Sequence, residues 1–150
     1  MFEKKTWFGI LSLTMLLGLA VTARAEQYVD FGDYVVHYNA LSTTFLSAET
    51  AREYNIKRSR NRALLNIVVQ KKKPDGTTTP VEAAVSATAT NLTGQLRTIQ
   101  LRPVHDGAAI YYIGVVNVAD GETLDFTVNI QPEGVSRPFV IRFRKEFYTR

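Results

Sequence analysis

Residues Leu124-Asp125-Phe126-Thr127-Val128-Asn129-Ile130, LDFTVNI, decide the fold. Four large apolar side chains at even positions alternate with Asp125, Thr127 and Asn129. A period of two places one set on a buried face and the other in water, which describes a half-buried strand. At the helical period of 3.6 the same four apolar residues would be scattered around the axis.

The stretch is bracketed by Ala119-Asp120-Gly121 and Gln131-Pro132-Glu133-Gly134, both rich in turn formers. Similar punctuation occurs at Lys73-Pro74-Asp75-Gly76, Asn91-Leu92-Thr93-Gly94 and His105-Asp106-Gly107. Turns spaced roughly 12 to 15 residues apart are what short antiparallel strands produce. Phe139, Ile141 and Phe143 alternate with Arg142 and Arg144, and Val81, Ala83, Val85, Ala87 and Ala89 form a small-residue face. Ala109 to Val118, AIYYIGVVNV, is apolar on both faces and reads as a central strand. In YVDFGDYVVHY, Val29 and Phe31 have one parity while Tyr34, Val36 and Tyr38 have the other. A bulge at Gly32 puts all five on the core side and turns Asp33, His37 and Asn39 outward. These elements predict a single all-β antiparallel sandwich of about seven strands.

One segment departs from the strand pattern. Ser47 to Tyr54 reads as a short helix, with Ser47 as N-cap, Glu49 in the positive first turn and Asn55 as a left-handed stop. It makes the connection from Leu41 to Arg62 about 20 residues long, far beyond a hairpin loop, and connections of that length are disproportionately functional.

The N-terminus bounds the location. Lys4 and Lys5 precede an apolar stretch from Trp7 to Val21, and Ala23-Arg24-Ala25 has the small-x-small form of a cleavage box. Residues 1–25 are therefore read as a signal peptide, 26–150 as the single domain, and the protein as periplasmic. The alternative, an uncleaved anchor, requires about 20 apolar residues, and this stretch contains Gly9, Ser12, Thr14 and Gly18. After cleavage the chain is not integral to the membrane. The chain has no cysteine, so disulfides and thiol catalysis are excluded. It carries 18 basic and 14 acidic residues, but the leader holds three of the bases and one acid. The remainder has a net charge of +2, too little for a global nucleic-acid-binding surface.

Local charge is another matter. Lys57-Arg58-Ser59-Arg60-Asn61-Arg62, KRSRNR, places four cations directly before the apolar run ALLNIVV. If residues 58 to 70 are extended, Arg58, Arg60 and Arg62 share one face and suit carboxylates or phosphates. The other reading is a gatekeeper: an uncharged β-prone run is an aggregation hazard, and Lys71, Lys72 and Lys73 flank its far end. Arg142 and Arg144 belong to the last strand and are expected on the opposite sheet. The candidate binding residues are thus Lys57, Arg58, Arg60 and Arg62, with His37 and Tyr38 as a second set. The expected partners are an acidic protein face, an anionic lipid or a glycan. Nucleic acid is not expected, because the basic run lacks interleaved aromatics.

No catalytic residues emerge. Gly134-Val135-Ser136-Arg137-Pro138 lacks the second glycine of a nucleophile elbow and sits in a hairpin. His37 and His105 lie on different elements, and Asp33 with His37 offers two metal ligands where a stable site needs three or four, so neither a metal nor another cofactor is expected. The expected function is a non-catalytic binding module with its contact face around residues 42–62. The alternative is a small-ligand carrier or enzyme with its site in the sandwich mouth near Asp33 and His37.

Val36-His37-Tyr38-Asn39, Thr44-Phe45-Leu46, the helix ending at Tyr54, and Arg58-Ser59-Arg60 leading into Leu65-Asn66-Ile67 together resemble a known family. It is a family of uncharacterised exported proteins of gammaproteobacteria, domain of unknown function 4426. Members often carry proline where this chain has Ala48. The resemblance implies an exported immunoglobulin-like domain, and it implies no activity and no catalytic residues.

Overall fold

The computed structural model describes residues 27–150, so the expected signal peptide lies outside the described residues. The strands are Tyr28–Asp30 (β1), Tyr34–Ser42 (β2), Arg62–Lys72 (β3), Thr78–Pro80 (β4), Ala83–Asn91 (β5), Leu96–Ile99 (β6), Arg102–Asp106 (β7), Ala109–Asn117 (β8), Glu122–Pro132 (β9) and Phe139–Phe147 (β10). Between β2 and β3 the chain makes a 3₁₀ turn at Thr43–Phe45 and one helix, Ala48–Glu53 (α1). One sheet has the order β1-β2-β3-β8-β7, with β4 added to the far end of β3, and the other has the order β10-β9-β5-β6. All pairings are antiparallel.

Taking the strands from β2 onward, β4 apart, as A, B, C, C′, D, E, F and G reproduces the immunoglobulin order, A-B-E-D facing G-F-C-C′. The count is ten rather than seven. The additional strands are short: β1, β4 and β6 have three, three and four residues.

The β1–β2 junction corrects the bulge expected at Gly32. The chain reverses there, with Gly32 at φ +84°, Phe31 N–H donating to Tyr34 O at 2.8 Å and Val29 paired with Val36. A hairpin satisfies the parity switch as well as a bulge does, because both sides can then present their apolar residues to one core. Val36 is fully buried, and Val29, Phe31, Tyr34 and Tyr38 pack beside it.

The core lies between the two sheets. Leu65, Ile67 and Val69 of β3 face Leu124, Phe126, Val128 and Ile130 of β9, all at most 1% exposed. Phe126 stacks on Phe143 with ring centroids 4.7 Å apart, and Phe31 stacks on Phe139 at 4.5 Å. Ala87 and Ala89 of β5 form the small face, as their spacing predicts. β8 lies between β3 and β7 and buries Tyr112 inward and Ile113 outward, which explains its two apolar faces. One end of the sandwich is closed by Arg97, which makes paired bonds of 2.5 and 2.7 Å to Glu122 and a third, of 3.0 Å, to Asn117 O.

Candidate site beneath the β2–β3 connection

Ser42 to Asn61 crosses the outer face of the six-stranded sheet, and its local structure follows from a few side chains. Ser47 is the N-cap of α1, its Oγ accepting from Thr50 N–H at 3.1 Å. Asn55, at φ +55°, ends the helix, as asparagine can at low cost. Thr43 is the staple. Its side chain is completely buried, and Oγ1 both donates to Ser59 O at 2.8 Å and accepts from Ser59 N–H at 2.9 Å. One hydroxyl therefore ties together the two ends of a 16-residue excursion. Farther along, Tyr54 Oη donates to Asp106 Oδ2 at 3.1 Å and Arg102 Nη2 donates to Tyr54 O, which fastens the end of α1 to β7. Partly desolvated, and lying beside the Asp106 carboxylate, the Tyr54 phenol has its pKa raised above the ordinary value.

Beneath the connection is a second, smaller apolar cluster. Ala51 and Ile56 press on Leu64 and Ile113 of the sheet, with Leu41, Leu46, Tyr54, Val104, Tyr111 and Val115 around them. The cluster does not close completely. A cavity of about 260 Å³ remains, lined by Leu41, Leu46, Tyr54, Leu64, Asn66, Val104, Tyr111 and Ile113. Asn66 is the polar exception in that lining, and its Oδ1 is buried without a hydrogen-bond partner.

The cations stand where the connection rejoins the sheet. Lys57, Arg58 and Arg60 are exposed and Arg62 is half-buried. They do not form a row on one strand face, because β3 begins only at Arg62 and residues 60–61 form a turn closed by Arg62 N–H to Ser59 O at 3.2 Å. The buried Thr43–Ser59 staple holds Ser59 out of strand pairing, which accounts for the late start. Arg58 folds back, with Nη2 donating to Thr44 O at 3.1 Å. No acid pairs with Lys57, Arg58, Arg60 or Arg62 among the described residues. Other cations differ: Lys72 pairs with Asp30 at 2.6 Å, and Arg144 grips Asp125 with paired bonds of 2.7 and 2.9 Å. β10, which carries Arg142 and Arg144, lies on the opposite sheet from β3.

The other two candidates lie on opposite faces of β2, as strand parity predicts. Tyr38 faces the inter-sheet core, its ring 4.7 Å from Phe143, and is not a surface group. His37 is on the outer face, where Nε2 donates to Gln70 Oε1 at 3.1 Å and the ring lies 5.8 Å from Tyr28. Asp33 is exposed in the β1–β2 turn. The hollow at the sandwich mouth, about 390 Å³ and lined by Tyr34, Lys71, Val81, Glu82, Pro132 and Glu133, includes neither Asp33 nor His37. Among the described residues no three His, Cys, Asp or Glu side chains stand close enough to share a metal ion, and no helix is long and apolar enough to cross a membrane.

Sequence reasoning missed the cavity itself. Tyr111 and Val104 reach it through β7–β8 pairing, which is non-local. Asn66, a lone polar residue inside ALLNIVV, was the available clue.

The chain belongs to the family described as Domain of unknown function (DUF4426), which matches residues 28–150. A DUF4426 family protein of Pseudomonas aeruginosa PAO1, known from a crystal structure, is 33% identical; the match covers 83% of this chain and 96% of that one, with a TM-score of 0.71. FetP of uropathogenic Escherichia coli strain F11, expressed recombinantly in the periplasm, is 12% identical over 82% of this chain and 93% of its own, with a TM-score of 0.57. A copper-bound variant of FetP gives the same identity and TM-score, with 95% of that chain covered. At that identity the FetP likeness shows the fold alone. No curated protein matches the chain.

Proposed function

We propose that this DUF4426 domain is an exported, periplasmic, non-catalytic binding module whose contact face is the β2–β3 connection, residues 42–62. The reading rests on one combination: four cations that have no acidic partner among the described residues, on a connection that is pinned at both ends and lies over an apolar cavity. Exposed cations that serve only solubility need no fixed scaffold, whereas a contact face gains affinity when its backbone is ordered before binding. The leader-like N-terminus supports export, and the absence of cysteine is compatible with it. The net charge of the segment favours an anionic partner: from Ser47 to Arg62 there are five bases and two acids.

Charge reversal tests the reading. The double variant Arg58→Glu, Arg60→Glu should abolish partner capture in cells while leaving the melting temperature within a few degrees, because exposed charges contribute little to stability. Arg60→Glu alone is the cleaner control, since Arg58 also bonds Thr44 O. Capture unchanged in both variants would sink the proposal.

A further inference from the structure

The binding-module reading leaves the class of partner open, and the cavity narrows it. We infer that the site takes an acidic, extended peptide segment of another protein, which inserts one aromatic side chain bearing an N–H donor, tryptophan first, into the cavity lined by Leu46 and Tyr54, the residues that flank α1. This inference rests on the proposed contact face.

Three observations carry it. The first is size. Sites for whole small molecules run from about 300 to 1,000 Å³, so 260 Å³ is below the range for a ligand but ample for a single large anchor side chain. The second is the lining. Leu41, Leu46, Leu64 and Ile113 supply apolar walls, and Tyr54 and Tyr111 supply rings against which another ring packs edge-to-face or offset. A desolvated pocket of this kind is where interface anchors concentrate their energy, and tryptophan is the commonest of them. The third is Asn66. A buried carbonyl oxygen without a partner carries a standing desolvation cost, and an entering indole N–H, which can only donate, offers it a bond. Asn66 lines the cavity, and turning its amide about the soft terminal torsion is the movement that would present the oxygen to that donor.

Charge completes the description. Lys57, Arg58 and Arg60 lie one to four residues beyond Ile56, a buried member of the cluster, so residues flanking an inserted anchor meet cations that have no acidic partner among the described residues. Carboxylates on the peptide answer them. A lipid tail matches the apolar walls but leaves Asn66 Oδ1 unpaired, and a glycan matches neither the walls nor the volume.

The test uses the purified protein and four labelled twelve-residue peptides read by fluorescence anisotropy. One carries a central Trp flanked by Asp and Glu; the others replace Trp by Phe, replace Trp by Ala, or replace the acids by Lys. The acidic Trp peptide should bind at least about tenfold more tightly than the Ala or Lys versions, as expected for loss of a hot-spot anchor or of its steering charges. It should also bind several-fold more tightly than the Phe version. Asn66→Leu should erase the Trp-over-Phe preference while leaving the fold at least as stable, because it removes the unpaired oxygen. Val104→Phe, which fills the cavity from β7, should abolish binding in a protein whose melt is unchanged. Equal binding of the Trp and Ala peptides, or none by any peptide, overturns the inference. If capture of a cellular partner still depends on Arg60 in that case, the contact face stands and only the anchor fails. If Arg60 is also indifferent, both fail.

Discussion

Thr43→Val isolates the device that holds the connection in place. Valine matches threonine in shape, so packing is retained while the hydroxyl that serves both the N–H and the C=O of Ser59 is lost. Two hydrogen bonds disappear at about 1 kcal/mol each, and the two Ser59 groups they leave are part-buried, which raises the expected cost to about 2–4 kcal/mol. Thr43→Ser is the control: it keeps the hydroxyl and deletes one methyl from a fully buried site, at a cost of about 1 kcal/mol. Urea denaturation gives the stabilities, and trypsin nicking after Lys57 and Arg58 reports whether the connection has come away from the sheet. Thr43→Val should be the less stable of the two and should be nicked faster under native conditions. Equal stability and equal nicking would refute the stapling argument, and with it the claim that the contact face is preorganised.

Two further predictions concern the scaffold. Arg97, with help from Asn91 and the Ala119 N–H, holds the Glu122 carboxyl down at about 2 from an ordinary value of 4.5. Because the folded-state value is the lower one, the stabilisation is complete above about pH 4.5 and is lost as pH falls through about 2, amounting to at most about 3 kcal/mol. The stability difference between the native protein and Glu122→Gln, measured by denaturation from pH 6 to pH 2, should therefore shrink as acid is added; a constant difference would contradict the assignment. Gly114→Ala should destabilise by more than about 1–3 kcal/mol, the usual cost of overpacking, because the added Cβ would sit 2.6 Å from Gln100 O and 2.7 Å from Ile99 Cγ2. An unchanged denaturation midpoint would mean that residues 99–101 do not approach β8 so closely.

Which parts of this structure were legible in the sequence follows from the range of the interactions involved. The alternation in LDFTVNI, the helix cap at Ser47 and the stop at Asn55 are local effects, and each is found where its residues place it. The parity switch at Gly32 was legible as a switch but not as a hairpin, because a bulge and a reversal satisfy the same side-chain pattern. The spacing of Arg58, Arg60 and Arg62 suggested a strand face; the Thr43–Ser59 bonds, between residues 16 apart, override that spacing and delay β3 to Arg62. Strand parity placed Tyr38 on the core side and His37 outward, and both are found there, so grouping the two as one binding set ran against the parity itself. The cavity required knowing that β7 and β8 pair beside β3, a non-local fact that only Asn66, interrupting an apolar run, hinted at.

The central claim, that residues 42–62 are the contact face, is tested most directly by photo-crosslinking in cells. A photoreactive residue in place of Asn61, exposed between Arg60 and Arg62, samples the face without removing a cation, and one in place of Thr98, exposed on β6 of the opposite sheet, is the control. The account predicts a discrete protein adduct from position 61 that is absent from position 98 and lost when Arg58 and Arg60 are reversed to Glu. The same background from both positions, in a folded and exported protein, would contradict it and leave KRSRNR as a solvated guard on the strand that follows.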